Sequence, residues 1–297
     1  RTAASSRGRL RRRHLNVRDA AAAAVDALTA AGCDTPRLDA ELLIADALGV
    51  SRAALIADPA MEIPGSAARV IGERVRRRVM REPVAYILGR QAFRHIELEV
   101  DHRVLIPRPE TELLVECAVE MEEGAWVHDV GTGSGAVALA IAQERPDMRV
   151  TASDVSADAV RMASANGARL GLRVEFSVAS DWPEWEHSRD VDRNSYGQRG
   201  TSGSVPDLVV ANLPYVRVDE WPRLQPEIRL YEPMLALVSG DDGLDAIRAL
   251  VATAPAGTQL ALEHAPDQGE AVRALLVGGE TLEDLAGRDR VTLGSVP

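Results

Sequence analysis

"WVHDVGTGSGAVALAIAQERPDMRVTASDV", residues 126–155, decides the fold. A short run, Trp126 to Val130, reads as a buried strand. Three alternating glycines follow, Gly131, Gly133 and Gly135, and then an Ala-rich stretch of helical character. A second strand closes the unit and ends at Asp154. Strand, glycine loop, helix, strand is the rhythm of a parallel sheet with helices on both faces. Glycines let a backbone turn sharply and approach a ligand without a Cβ clash. The helix behind them points unpaired N–H groups at whatever sits there.

Asp154 lies nineteen residues beyond Gly135. That spacing suits a carboxylate accepting hydrogen bonds from ribose hydroxyls. Two cofactors fit this much. A nicotinamide dinucleotide wants Gly-x-Gly-x-x-Gly/Ala, which Gly131, Gly133 and Ala136 satisfy. S-adenosylmethionine wants an acid before Gly-x-Gly-x-Gly, which Asp129 and the loop Gly131, Thr132, Gly133, Ser134, Gly135 satisfy. After the third strand, "RVEFSVAS", comes Asp181-Trp182, whose indole offers a flat face for an adenine ring.

A second stretch separates these readings. In "SVPDLVVANLPYVRVDEW", residues 204–221, an apolar run stops at Asn212-Leu213-Pro214-Tyr215. Asn and Pro end strands in ordinary turns. At the carboxyl end of a parallel sheet they also stand where open α/β folds bind ligands. A planar NH₂ group is a poor nucleophile, because its lone pair is delocalised into the adjacent π system. Methylating it calls for acceptors for both N–H bonds. The Asn212 side-chain oxygen and the Leu213 backbone carbonyl can supply them. Pro214 stiffens the loop, and Tyr215 can pack on a planar amide or base. A dehydrogenase has no use for this tetrad, so the pair of motifs favours methyl transfer to a planar nitrogen.

The rest of the chain sets bounds. A length of 297 residues with 46% apolar content is enough for one large or two ordinary domains. The net charge of -11 disfavours non-specific nucleic-acid binding through the whole surface. All 34 basic residues are Arg, which we read as genome bias. Two distant cysteines, Cys33 and Cys117, and six histidines without a metal-binding spacing predict no disulfide framework and no metal site. Reduced thiols suit a cytoplasmic compartment. No apolar run approaches the roughly 18 residues of a membrane span.

Residues 1–16 are Arg-rich and acid-free and read as a disordered basic tail. A transit segment for the mitochondrial matrix has the same composition. Residues 17–82 read as a helical bundle. "TPRLDAELLIADALGV" opens with Thr35 at the cap and Pro36 at the first helical position, and closes at Gly49. We expect its core face to hold Leu38, Leu42, Ala45 and Leu48. Residues 83–106, with "FRHIELEV" and "VLIP", predict a β-hairpin linker, and 107–297 the catalytic domain. A polar stretch, 186–205, reads as a surface insertion.

Taken together, these motifs resemble the release-factor glutamine methyltransferases, the HemK/PrmC family. The resemblance runs over nearly the whole chain from about residue 17. Its most specific stretch is "PVAYILGRQAFRHIELEVDHRVLIPRPETELLVE", residues 83–116. It is supported by "DVGTGSGAVALAIA", "SDVSADAV", "NLPY", "YEPMLALVSGDDGL" and "LALEHAPDQGEAVR". The resemblance implies an S-adenosylmethionine-dependent, Rossmann-like domain behind a helical domain that docks the substrate. The implied reaction methylates the side-chain amide of the Gln in the Gly-Gly-Gln loop of class I peptide chain release factors, leaving S-adenosylhomocysteine. It implies an enzyme of translation termination, and we expect a monomer with no direct nucleic-acid partner. It puts the glycine loop on the methionine part of the cofactor, Asp154 on the ribose, Asp181 and Trp182 at the adenine, and Asn212 to Tyr215 on the substrate glutamine. The family usually has Asn-Pro-Pro-Tyr, and Leu213 departs from it. Asn-Leu-Pro-Tyr is usual in ribosomal RNA adenine dimethyltransferases, so N6-adenine methylation of RNA or DNA is the alternative activity.

Overall fold

The computed structural model describes residues 15–179 and 205–297. Most of the basic tail, Asp181, Trp182 and nearly all of the 186–205 stretch lie outside the described residues. The chain forms two compact units, the first ending at Leu88 and the second running from Gly89 to Pro297.

The first unit is helical: α1 (Val17–Ala30), α2 (Pro36–Leu48), α3 (Arg52–Ala57), α4 (Gly65–Val79) and α5 (Val84–Leu88). Asn16 caps α1 by accepting from the Asp19 N–H at 2.9 Å. Gly49 ends α2 in the left-handed conformation at φ 66°. Helix α1 buries Val17, Ala20, Ala24 and Leu28 at helical spacing.

Two expectations change here. Helix α2 buries Asp39, Ala40, Glu41, Leu43, Ile44 and Ala45, while Leu38 is exposed. Its inner face is rotated because Asp39 is carried inside by an ion pair with the equally buried Arg78, Nε to Oδ2 2.7 Å. A pattern that assigns carboxylates to solvent misses this. Secondly, Pro83 does not start a hairpin. It accepts from the Ile87 N–H and opens α5, a place where its missing donor costs nothing. The hairpin is confined to β1 (Arg90–Phe93) and β2 (Ile96–Glu99), and "VLIP" joins no strand.

The second unit continues with α6 (Glu112–Val119), β3 (Trp126–Val130), α7 (Ala136–Glu144), β4 (Arg149–Asp154), α8 (Ala157–Leu170), β5 (Glu175–Val178) and β6 (Leu208–Ala211). It closes with α9 (Pro226–Tyr231), α10 (Asp245–Thr253), β7 (Gln259–Glu263), α11 (Gly269–Arg273), β8 (Val277–Glu283) and β9 (Asp289–Ser295). One sheet runs β5-β4-β3-β6-β7-β9-β8. Its first five strands are parallel, and β9 is antiparallel to both neighbours. This is the mainly parallel α/β sheet expected from the sequence. Strand order reverses between β3 and β6, which makes their carboxyl ends the crevice of the sheet. Every residue of β3 and β6 is buried, as a strand covered on both faces requires. No helix among the described residues is long and apolar enough to cross a membrane.

A buried imidazole lies under this crevice. The two ring nitrogens of His128 meet Thr151 Oγ1 at 2.7 Å and Ser153 Oγ at 2.9 Å, joining β3 to β4. Burial pushes its pKa down to about 4. The folded pKa lies below the unfolded value near 6.5, so only the unfolded chain takes up this proton between those limits. Stability from this group is complete above pH 6.5 and is lost as pH falls toward 4. We predict that wild type loses on the order of 3 kcal/mol more than His128→Gln between pH 7 and pH 4. Urea unfolding at the two pH values checks this, and an unchanged gap between the proteins would contradict it.

Candidate functional site

The site is built by register. Val130, the last residue of β3, pairs with Ser153 on one side and Ala211 on the other. The three chains therefore leave the sheet together, as the glycine loop, as Asp154 and as Asn212.

The loop is held by its own backbone. Gly131 and Thr132 donate N–H bonds to the Ser153 carbonyl at 2.9 and 3.0 Å. Gly131, Gly133 and Gly135 all have positive φ, at 75°, 57° and 84°. A Cβ on Gly135 would come within 2.9 Å of Leu139 Cδ1 and 3.2 Å of Ala163 Cβ. A Cβ on Gly131 would come within 3.1 Å of Leu213 Cδ2. At Gly133 an added Cβ meets no atom within 4 Å, so this glycine faces open space.

Asp129 supports the loop from behind. Its Oδ2 accepts from Thr132 Oγ1 at 2.7 Å and from the Ala138 N–H at 3.3 Å. Burial pushes its pKa up to about 7. Asp154 divides its carboxylate between two backbone donors, Gly133 N–H at 2.9 Å and Ser156 N–H at 2.8 Å. Burial raises its pKa, and these two bonds act against that.

Of the residues expected from the sequence, Gly131, Gly133, Asp154, Asn212, Leu213 and Pro214 line one cavity of about 150 Å³. Tyr215 and Asn212 line a smaller neighbouring recess with Arg108. Asp129, Thr132, Ser134 and Gly135 shape the loop without lining the cavity. Asp181 and Trp182 lie outside the described residues.

The Asn-Leu-Pro-Tyr tetrad is anchored at both ends. Asn212 Nδ2 donates to Thr111 Oγ1 at 2.9 Å. Among the described residues, neither Asn212 Oδ1 nor the Leu213 carbonyl accepts a hydrogen bond. At the other end the Tyr215 hydroxyl reaches Glu263 Oε1 at 3.4 Å, and Gln268 Nε2 donates to the Tyr215 carbonyl at 3.0 Å. Burial, then the neighbouring Glu263, raises the Tyr215 pKa, so the phenol stays protonated.

Sequence reasoning missed several supporting residues. Asn166, fully buried on α8, accepts from the Glu99 N–H and donates to the Ser134 carbonyl, tying β2 to the glycine loop. The Glu232 carboxylate takes the Ile106 N–H at 3.1 Å and an N–H of Arg108. Thr111 and Glu263 stand behind Asn212. Each lies within a stretch that carries the family resemblance, but no spacing rule marks it. Only the folded chain brings positions 111, 212 and 263 together.

The chain matches two family models: the PrmC N-terminal domain over residues 19–89 and the methyltransferase small domain over residues 109–192. It is 41% identical over 282 residues to the release factor glutamine methyltransferase of Xylella fastidiosa (strain 9a5c), covering 91% of this chain and 97% of that protein. It is 42% identical over 269 residues to the protein of that name from Neisseria gonorrhoeae, covering 87% and 93%. With the Caulobacter vibrioides protein of that name it shares 36% over 285 residues, covering 92% and 93%. Among solved structures, the hMettl16 catalytic domain in complex with MAT2A 3′UTR hairpin 6 is similar at a TM-score of 0.51. That likeness has 11% identity, covers 72% of this chain and 81% of that one, and speaks to the fold alone.

Gly133 and Gly135 test the loop separately. The methyl of Gly133→Ala projects into open space, at a backbone cost of about 1–2 kcal/mol for the left-handed conformation. We predict a folded protein with S-adenosylmethionine affinity reduced by about tenfold or more, roughly 1.4 kcal/mol. Gly135→Ala forces Leu139 and Ala163 apart and should lower the melting temperature further than Gly133→Ala does. Calorimetric binding and thermal melts measure both. Normal affinity in folded Gly133→Ala would remove the loop from the binding surface.

Proposed function

The chain belongs to the release factor glutamine methyltransferase family, and we propose how its residues carry out that activity. The enzyme transfers a methyl group from S-adenosylmethionine to a release-factor glutamine. Adenine methylation is not favoured by these relatives. We take the target to be the glutamine of the Gly-Gly-Gln loop.

One observation carries the assignment of roles. Among the described residues two acceptors, Asn212 Oδ1 and the Leu213 carbonyl, stand unpaired on residues that line the cavity beside the glycine loop. A primary amide brings two N–H bonds. Holding both would pin the amide plane and aim its lone pair toward the methyl donor. It would also stabilise the positive charge that grows on nitrogen during transfer. No ionised base is needed first, because the nitrogen proton becomes acidic once the nitrogen is alkylated. Alignment of donor and acceptor is then the main contribution, which can be worth several kcal/mol.

The residues present fit the cofactor. Gly133 leaves open space, and Asp154 presents its carboxylate in the cavity wall, where each oxygen can accept a further bond from a ribose hydroxyl. S-adenosylmethionine supplies an electrophilic methyl group on a sulfonium. We assign the glycine loop to its methionine part, Asp154 to the ribose, and Asp181 and Trp182 to the adenine. Asp129, Thr132, Ser134 and Gly135 hold the loop in shape. Pro214 and Tyr215 form the substrate-facing wall.

We assign the helical unit to docking of the release factor, so its removal would raise KM for the intact factor. The activity belongs in the cytoplasm, in a monomer that needs no nucleic acid. The bacterial relatives support the compartment.

Asn212→Ala tests the central role. An interaction stronger in the transition state than in the ground state shows in the chemical step. We predict a loss of about 10²–10³ in single-turnover rate, with cofactor affinity only modestly lower. Leu213→Pro keeps the carbonyl and should keep activity. Near-normal turnover by Asn212→Ala at saturating release factor would overturn the assignment.

A further inference from the structure

One stretch beside the cavity is built unlike the rest of its unit. From Val216 to Val238 only Glu232 is buried, and the other residues are half-buried or exposed. Backbone hydrogen bonds close the stretch at its base. The Val216 N–H donates to the Leu237 carbonyl at 2.8 Å, and the Ser239 N–H to the Val216 carbonyl at 2.9 Å. Glu232 pins it from within, since its carboxylate takes the Ile106 N–H at 3.1 Å and an N–H of Arg108. Helix α9 and the 3₁₀ turn Met234–Ala236 contribute no buried residue.

Backbone so open to solvent usually carries polar side chains. Here Leu230 is 61% exposed, Met234 48% and Leu235 65%. Single apolar side chains at a surface are common and need no explanation. Three of them within six residues, on backbone that is held in place, are the mark of a binding surface.

Their position says what covers them. Leu235 lines the cavity with Gly133, Asp154, Asn212 and Leu213, and so do its neighbours Pro233 and Ala236. A residue that lines the cavity and is still mostly exposed stands at its mouth. A glutamine side chain spans about 5 Å from Cα to its amide nitrogen. A nitrogen held at Asn212 and Leu213 therefore keeps the release-factor main chain close to this mouth, and the protein around the loop has to lie over it. The two glycines before the target offer no side chains, so contact energy has to come from release-factor residues beyond them.

We propose that Leu230, Met234 and Leu235 form a docking surface for the release factor, and that its counterpart is an apolar patch flanking the Gly-Gly-Gln loop. Burying such side chains supplies affinity, and the flexible thioether of Met234 adapts to a partner's contour. Glu232 holds the segment in place before binding, so little order is lost on docking. The inference rests on the reading that the target glutamine enters this cavity.

The experiment uses the full chain with Leu230→Ser and Met234→Ser, singly and together. Neither residue lines the cavity. Val277→Ser is the control. Val277 is 58% exposed, but it pairs with Ser295, which pairs with Gln259 at the start of β7, so it lies at the end of the sheet away from the crevice. The double variant should raise KM for intact release factor by about tenfold or more, the effect of removing central contacts from an interface. Its calorimetric Kd for release factor in the presence of S-adenosylhomocysteine should rise in step. The kcat at saturating release factor and the S-adenosylmethionine affinity should stay within about twofold, because lost uniform binding raises KM alone. Val277→Ser should match wild type throughout. An unchanged KM in the folded double variant would overturn the proposal, as would an equal rise in KM from Val277→Ser. So would a wild-type dimer, seen by sedimentation, that the double variant dissolves with no change in KM, since the surface would then belong to a second copy of this chain. If the double variant behaves as expected while Asn212→Ala turns over normally, the docking surface stands and the role of Asn212 falls, so the two failures are distinguishable.

Discussion

The register of β3 against its two neighbours is the constraint from which the site follows. Val130 stands level with Ser153 and Ala211, so three chains leave the sheet at one height. A shift of one residue in either pairing would turn the outgoing side chains to the opposite face. Asp154 could then no longer meet the Gly133 N–H, and Leu213 could no longer rest against Gly131. The register is fixed by burial on both faces and by the His128 bridge to β4. Core packing thus sets the geometry at the surface.

On that frame the polar groups divide into two layers. Asp154, Asn212 and Leu213 line the cavity. Asp129, Asn166, Thr111, Glu263 and Gln268 lie behind it, buried and joined to the wall by hydrogen bonds or charge. The rear layer is where burial shifts the acids most, with Asp129 and Glu263 both pushed up to about 7. Such groups cost stability, and their benefit is rigidity in the groups in front of them. Gly243 shows how tight this layer is, since a Cβ there would lie 2.2 Å from the Tyr215 carbonyl oxygen.

Much of this was legible in the sequence, for identifiable reasons. The glycine loop and Asp154 are close in sequence, and their spacing reports directly on a local strand-helix-strand unit. Asn212 stood out because a buried strand ended in an amide. The rear layer was not legible. Thr111 looks like an ordinary residue at the start of a helix, and Glu263 like the last residue of a strand. Their meaning depends on pairings 101 and 48 residues apart in the chain. The rotated face of α2 was missed for a related reason: Asp39 is interior only because Arg78 is there to meet it. The hairpin was read too long because the β pattern was extended over all of 83–106, whereas Pro83 opens a short helix ahead of it.

The most direct test of the account is a crystal structure of the full chain with S-adenosylhomocysteine and a release factor. The account predicts the glutamine nitrogen within hydrogen-bond distance, about 3 Å, of both Asn212 Oδ1 and the Leu213 carbonyl oxygen, with Asn212 Nδ2 still on Thr111. The nucleoside should lie along Gly133 and Asp154. A glutamine seated away from these two oxygens, or an Asn212 amide turned to place Oδ1 on Thr111, would contradict it.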